Sequence, residues 1–335
     1  MKPNIALVIG DPAGVGPELV VKLLADGTAA QRANIFVIGN RASLAEAGGL
    51  TGTALHLDTV RQSDVGIRDY SLPVLLAWDG IDAHGFARAS AEAGNGKFMI
   101  DMLTLGAKLT HSRTTDALCF APLNKGALRA GGMQQPDELR WFEDLLGCRT
   151  YTGELNVLDT LWTSRVTSHV ALKEVSGLLT PEGIADAADL ITQSLKAAGK
   201  AAPRVAVCGL NPHNGDNGNY GTEEIDIIAP GVALALSRGI AVDGPFPADT
   251  IFVRAKNGQY DGIVTMYHDQ GQIAMKLMGF ERGVTVQGGL PIPITTPAHG
   301  TAYDIAGQGI ANVGAMENAF NLACRMGAHR ALAGT

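Results

Sequence analysis

Cysteine is scarce in this chain. The four cysteines among 335 residues, Cys119, Cys148, Cys208 and Cys324, are scattered with no CxxC spacing. That excludes a disulfide framework and a cysteine-based structural zinc site, and it suits a reducing compartment. Positive charge is also in deficit: 26 Lys and Arg stand against 33 Asp and Glu, for a net charge of −7, and no basic cluster occurs. Nucleic acid and anionic membrane surfaces are therefore poor partners. No run approaches the ~20 apolar residues of a membrane span. The first apolar run, Ile5–Ile9, is too short for a secretory signal and leads straight into Asp11-Pro12, so a cytoplasmic protein is expected.

What the chain does have is an ordinary globular balance, 46% hydrophobic and 18% charged, which excludes intrinsic disorder. Its 42 glycines and 15 prolines follow no triplet period and read as turns and ligand loops, not collagen. Short apolar runs at Ile5–Ile9, Asn34–Gly39, Pro73–Trp78, Asp116–Phe120, Arg165–Leu172, Arg204–Gly209 and Asp261–Met266 read as buried strands. Between them, helical patterns are predicted over Pro17–Ala25, Ala89–Thr110, Thr180–Ala198 and Thr222–Ser237. Pro17 and Glu18 suit a helix start, and Thr180-Pro181 supplies a cap and an N1 proline. This alternation predicts an α/β fold with a mostly parallel sheet covered by helices on both faces. The stretch Ala130–Pro136 is the best candidate for a domain crossing.

Candidate chemistry gathers at strand ends, where open α/β sheets bind their ligands. His213 in Leu210-Asn211-Pro212-His213-Asn214-Gly215-Asp216 and His268 in Met266-Tyr267-His268-Asp269-Gln270-Gly271 each follow a strand; His169 lies inside or near the end of another. Three imidazoles could hold one divalent ion with positions left open for substrate, or serve as hydrogen-bonded structural residues. The loop Gly10-Asp11-Pro12-Ala13-Gly14-Val15-Gly16-Pro17-Glu18 joins a strand to a helix. It lacks the Lys-Ser/Thr of a P-loop and the third glycine of a dinucleotide fingerprint, so it is at least a tight turn packed in a cleft. Lys125 in Pro122-Leu123-Asn124-Lys125-Gly126 and Lys276 in the amphipathic segment Gln272–Met278 could orient a carboxylate or relay a proton, or be surface lysines. The small residues of His299-Gly300-Thr301-Ala302-Tyr303-Asp304 would let backbone amides approach a ligand.

Together these segments, with Gly221-Thr222-Glu223-Glu224-Ile225-Asp226 and Pro247-Ala248-Asp249-Thr250, resemble the 4-hydroxythreonine-4-phosphate dehydrogenase family over nearly the whole chain. The resemblance implies two α/β/α domains with mostly parallel sheets, similar to isocitrate and isopropylmalate dehydrogenases, with the active cleft between them. Residues 1–128 plus 300–335 would form the first domain and 129–299 the second. It implies a homodimer with its active site near the subunit interface, NAD or NADP on His299, Gly300, Thr301, Ala302 and Asp304, and one divalent ion (Zn, Mg, Co or Mn) on His169, His213 and His268. Asp249 and Asp269 would orient the imidazoles, and Lys276, Asp249 and Lys125 are the acid–base candidates. The reaction implied is oxidation of a secondary alcohol to a β-keto acid that loses CO2.

The substrate positions depart from the family. Asp137-Glu138-Leu139-Arg140 replaces Gly-His-Thr-Glu, Thr285 replaces an Asn, and Ile294 replaces an Arg. Phosphate needs cationic or multiple N–H donors, so these changes disfavour a phosphomonoester unless Arg140 compensates. A carboxylated cis-dihydrodiol such as terephthalate dihydrodiol is the substrate expected, with the family's namesake reaction of pyridoxal phosphate biosynthesis, or a non-catalytic metal- or nucleotide-binding protein, as alternatives.

Overall fold

A computed structural model describes residues 2–67 and 69–333. The chain forms two compact units, residues 1–149 with 290–335 and residues 150–289.

In the first unit the elements are β1 (Asn4–Val8), α1 (Gly16–Leu24), α2 (Thr28–Arg32), β2 (Asn34–Ile38), α3 (Arg41–Thr51), β3 (Thr59–Val60), β4 (Val74–Leu76), α4 (Ala93–His111), β5 (Ala117–Phe120), α5 (Lys125–Ala130) and α6 (Glu138–Leu146). The second unit holds β6 (Gly153–Leu158), β7 (Leu161–Arg165), α7 (Val175–Leu178), α8 (Pro181–Ala197), β8 (Val205–Cys208), α9 (Ala229–Ser237), β9 (Val242–Phe246), α10 (Ala248–Lys256), β10 (Gly262–Thr265), α11 (His268–Gly279) and β11 (Val284–Gly288). The chain then returns to the first unit with β12 (Ile294–Pro297) and α12 (Gly314–Ala333).

All strands of the first unit are parallel, in the order β3-β4-β2-β1-β5-β12. The residues of β2 and β5 are buried throughout, as strands covered on both faces must be. α4 packs on β1 and β5, and α12 on β12 and β5, around Ile5, Leu7, Phe36, Met99 and Phe320. The second unit has the order β11-β6-β7-β10-β8-β9, with β6 antiparallel to both neighbours and the rest parallel. Leu158, Leu161, Ala206, Ile251, Phe252, Ile263 and Met275 form a buried cluster there.

Two expectations are corrected. The strand expected at Arg165–Leu172 lies at Leu161–Arg165. Val166 and Thr167 continue its ladder, their N–H groups donating to Thr265 O (2.9 Å) and Met266 O (3.1 Å), but His169 at φ 51° turns the backbone out of the sheet. The chain also leaves the first unit later than Ala130–Pro136. The amphipathic helix α6 packs its Leu139 and Phe142 into that unit, against α4, and so carries the crossing to residue 149.

Candidate active site

In the first unit, the turn after β1 and the loop after β12 are bonded to each other. Gly14 has no side chain because a Cβ there would meet Thr301 Cβ and O at 2.8 Å. The close approach lets Val15 N–H donate to Thr301 O (3.0 Å). Tyr303 Oη donates to Asp11 Oδ2 (2.6 Å), while Asp11 Oδ1 accepts from Ala13 N–H (2.9 Å). Glu18, in the first turn of α1, is only 2% exposed and accepts from Gly307 N–H (2.6 Å) and Gly309 N–H (2.9 Å). Burial pushes the Asp11 carboxyl above the usual carboxylate range, partly offset by the Tyr303 and Ala13 hydrogen bonds. Burial and the Asp11 carboxylate push the Tyr303 phenol up in turn, so Tyr303 remains the donor. Thr301 is thereby fixed, Ala302 is held at φ 45°, His299 lies beside Gly300 O (2.9 Å), and Asp304 stays exposed. The candidate nucleotide loop 299–304 is thus pinned at both ends.

Lys125 opens α5 with its ammonium 3.9 Å from the carboxylate of Glu138. Asp137 caps α6 by accepting from Arg140 N–H (2.9 Å), and the Arg140 guanidinium bonds Glu143 on its own helix. Ile294, paired with Leu118, is 0% exposed and offers no surface to a ligand.

In the second unit, His268 is the first residue of α11 and lies beside His169, their ring centroids 5.7 Å apart. Asp269 Oδ1 is 2.7 Å from His268 Nδ1, so Nε2 is the ring nitrogen that could serve as a metal ligand. Two imidazoles on one tetrahedral ion have centroids roughly 5 Å apart, so this pair fits a shared ion. His213 lies in a left-handed turn in which residues 213–217 have φ values of 53°, 59°, 79°, 43° and 57°. Asn and Asp tolerate that region better than most side chains, and Gly215 supplies its middle. The turn is held by Asn214 Nδ2 donating to Pro245 O (3.3 Å) and by Tyr220 N–H donating to Gly215 O (3.1 Å). Below it, Glu224 Oε1 accepts from the N–H groups of Leu210 and Asn211, both at 2.7 Å. The His213 ring packs near Tyr220, at 6.3 Å between centroids. Among the described residues, no three His, Cys, Asp or Glu side chains form a closed set around one point. The structure thus brings His169 and His268 together and does not add His213 or Asp249 to them; Asp249 is exposed at the start of α10. Lys276 is exposed on α11, and Thr285 is half-buried on β11.

Sequence reading missed a polar group beside the histidine pair. Arg165 Nη2 donates to Glu154 Oε2 (2.6 Å), Nη1 to Asn156 Oδ1 (3.0 Å) and Nε to Ser168 Oγ (2.8 Å). Asn156 Oδ1 also accepts from Gln272 of α11, and Asn156 Nδ2 donates to Thr285 Oγ1 (3.4 Å).

Residues 31–323 match the family model described as "Pyridoxal phosphate biosynthetic protein PdxA". The chain belongs to the PdxA family. It is similar, at 52% identity over 334 residues and 98% of each chain, to a Pseudomonas aeruginosa protein provisionally named 4-hydroxythreonine-4-phosphate dehydrogenase 2. It is 38% identical over 335 residues, again covering 98% of both, to the D-threonate 4-phosphate dehydrogenase of Cupriavidus necator. Among solved structures, a Klebsiella pneumoniae 4-hydroxythreonine-4-phosphate dehydrogenase matches with a TM-score of 0.84 at 32% identity, covering 98% of both chains. The terephthalate 1,2-cis-dihydrodiol dehydrogenase of Burkholderia xenovorans gives a TM-score of 0.68 at 25% identity, covering 97% of this chain and 98% of that one. PdxA membership places the chain among the metal-dependent, NAD-linked dehydrogenases, which are oxidoreductases acting on CH–OH groups. No helix among the described residues is long and apolar enough to cross a membrane.

Proposed function

We propose that this PdxA-family enzyme oxidises the secondary alcohol of a small hydroxy acid that carries no phosphate, with loss of CO2 from the β-keto acid formed. The observation that carries this reading is the pairing of cations in the stretch where the family places its phosphate site. Lys125 faces Glu138, Arg140 is turned to Glu143, and Asp137 adds a further carboxylate. A phosphomonoester would meet net negative charge there, and the buried Ile294 supplies no donor. An open-chain acid replaces the cis-dihydrodiol expected from sequence. The relatives at 38–52% identity carry open-chain names, while the dihydrodiol enzyme stands at 25%.

A divalent ion held by the His169–His268 pair, with His213 as the third ligand that the family resemblance implies, would polarise the alcohol and then the carbonyl, with NAD or NADP on residues 299–304 accepting the hydride. Asp269 holds the His268 tautomer, the bonded pair Asp11–Tyr303 keeps the nucleotide loop in place, and Lys276, Asp249 and Lys125 are the groups proposed to hold or move the hydroxyl proton. The active site is proposed to lie near the interface of a homodimer. The names of the relatives support a second reading, in which the substrate keeps its 4-phosphate.

Reduced-nucleotide formation with 2,3,4-trihydroxybutanoate and with its 4-phosphate, each with manganese, separates the two. The proposed reading expects kcat/KM at least about tenfold higher for the unphosphorylated acid; preference for the phosphate overturns it. His213→Ala is expected to lose bound metal and turnover while still binding NAD. Full metal content and turnover in that variant would remove His213 from the site.

A further inference from the structure

On antiparallel strands, residues facing each other share a sheet face, and so do residues two apart. Thr285 faces Asn156, and Gln287 faces Glu154. Continuing the β6–β7 register past Asn156 and Thr163 sets Glu154 opposite Arg165. One face of this sheet therefore presents a continuous polar strip of Glu154, Asn156, Arg165, Thr285 and Gln287, and Gln272 of α11 reaches down onto it. The strip lies beside the histidine pair. Ser168, bonded to Arg165, precedes His169, and Gln272 follows His268 by one helical turn on the same face of α11.

The strip is unusual for a covered sheet face. The Arg165 side chain is 7% exposed and that of Glu154 18%, so a full charge pair is kept largely out of water at 2.6 Å. Asn156, Gln272 and Thr285 are half-buried. Gln287 Oε1 is buried and has no hydrogen-bond partner. Such an acceptor costs about 1–3 kcal/mol if left unpaired, which a merely structural strip would avoid. The strip's charge sums to zero, because Glu154 neutralises Arg165. A phosphate or carboxylate arriving there would find the strip's cation already paired with Glu154, and an apolar group would leave Gln287 Oε1 without a donor. A neutral hydroxyl, which both donates and accepts, suits a neutral polar strip that still has an acceptor to pair.

We propose that the Arg165–Asn156–Gln272 strip is the specificity pocket for an uncharged, hydroxylated end of the substrate, distal to the histidine pair. This rests on the dehydrogenase reading for the position of the reacting end only.

The test is calorimetric binding to the full chain with manganese and no nucleotide, using 2,3,4-trihydroxybutanoate, 2,3-dihydroxybutanoate and the 4-phosphate of the first as probes. The wild type should bind the trihydroxy acid at least about tenfold tighter than the acid lacking the terminal hydroxyl. Asn156→Leu and Gln272→Leu should bring that ratio close to one without changing NAD affinity. Glu154→Gln, which keeps the shape and removes the countercharge, should raise affinity for the 4-phosphate about tenfold. Melting curves matching the wild type confirm that each variant is folded. An unchanged hydroxyl ratio in Asn156→Leu and Gln272→Leu overturns the proposal, as does unchanged phosphate affinity in Glu154→Gln or a wild type that binds neither acid. If the binding ratios hold while no reduced nucleotide forms, the pocket stands and the dehydrogenase reading fails.

Discussion

Tyr303 and Asp11 form a bond whose worth depends on the ionisation of the acid. Burial raises the Asp11 pKa, so at neutral pH the folded protein holds a carboxylate where water would have solvated it better. An acid whose pKa is raised by folding binds more protons when folded. Its cost is therefore absent below the unfolded value of about 3.9, grows as pH rises, and is fully present above the raised folded value. The Tyr303 hydroxyl relieves that cost by donating to the charged form. Tyr303→Phe is expected to lose about 1–3 kcal/mol at pH 7 and distinctly less near pH 4. Urea midpoints at the two pH values check this. A loss of equal size at both would show that the bond does not discriminate between the protonation states. The same variant should raise KM for the nucleotide more than it lowers kcat, because the phenol holds the loop and touches no reacting atom.

At the scale of elements, α1 does more than cover the sheet. Its first-turn Glu18 accepts two N–H groups from the loop 307–309, so the helix start and the far loop form one piece. Glu18→Gln turns an amide N–H2 toward a backbone donor. It is expected to cost about 2–3 kcal/mol in urea unfolding and to weaken NAD binding. Unchanged NAD affinity in a destabilised variant would confine Glu18 to a structural role.

Sequence periodicity located β1, β2, β5, β8 and β10 to within a residue or two, because strands buried on both faces are unbroken apolar runs. It missed β6 and β11, whose Glu154, Asn156, Thr285 and Gln287 alternate with Leu155, Val157, Val284 and Val286. Such alternation reads as a solvated edge, and only the register shows that its polar members meet. Glu18 was legible as a helix-start acid, yet its partners lie nearly the whole chain away. The histidine pair was legible from strand-end placement. The left-handed turn at His213 was not, since its geometry depends on Pro245 and Glu224 contacts distant in sequence.

For the whole molecule, the first unit is closed by its last two elements. α12 buries Met316, Phe320, Leu322, Ala323 and Met326, and Thr295 of β12 donates to Ala319 O (2.9 Å). Phe320→Ala leaves a void in that layer and is expected to cost about 3–5 kcal/mol. Thermal unfolding followed by circular dichroism checks it, and a loss below about 1 kcal/mol would mean the layer can collapse around the gap.

Because β12 pairs with β5, the first unit waits for a strand made only after the second unit has been synthesised in full. During translation the residues of β5 therefore emerge with one edge uncovered, while residues 150–289 have still to be made. Thr150 Oγ1 donates to Gly289 O (3.2 Å), tying the two ends of that segment together. Once it has folded, the long loop separating β5 from β12 is already short, and the entropy of closing it has been spent within the second unit. A mutation that slows folding of residues 150–289 should thus show itself as aggregation of the other unit, through the unpaired edge of β5.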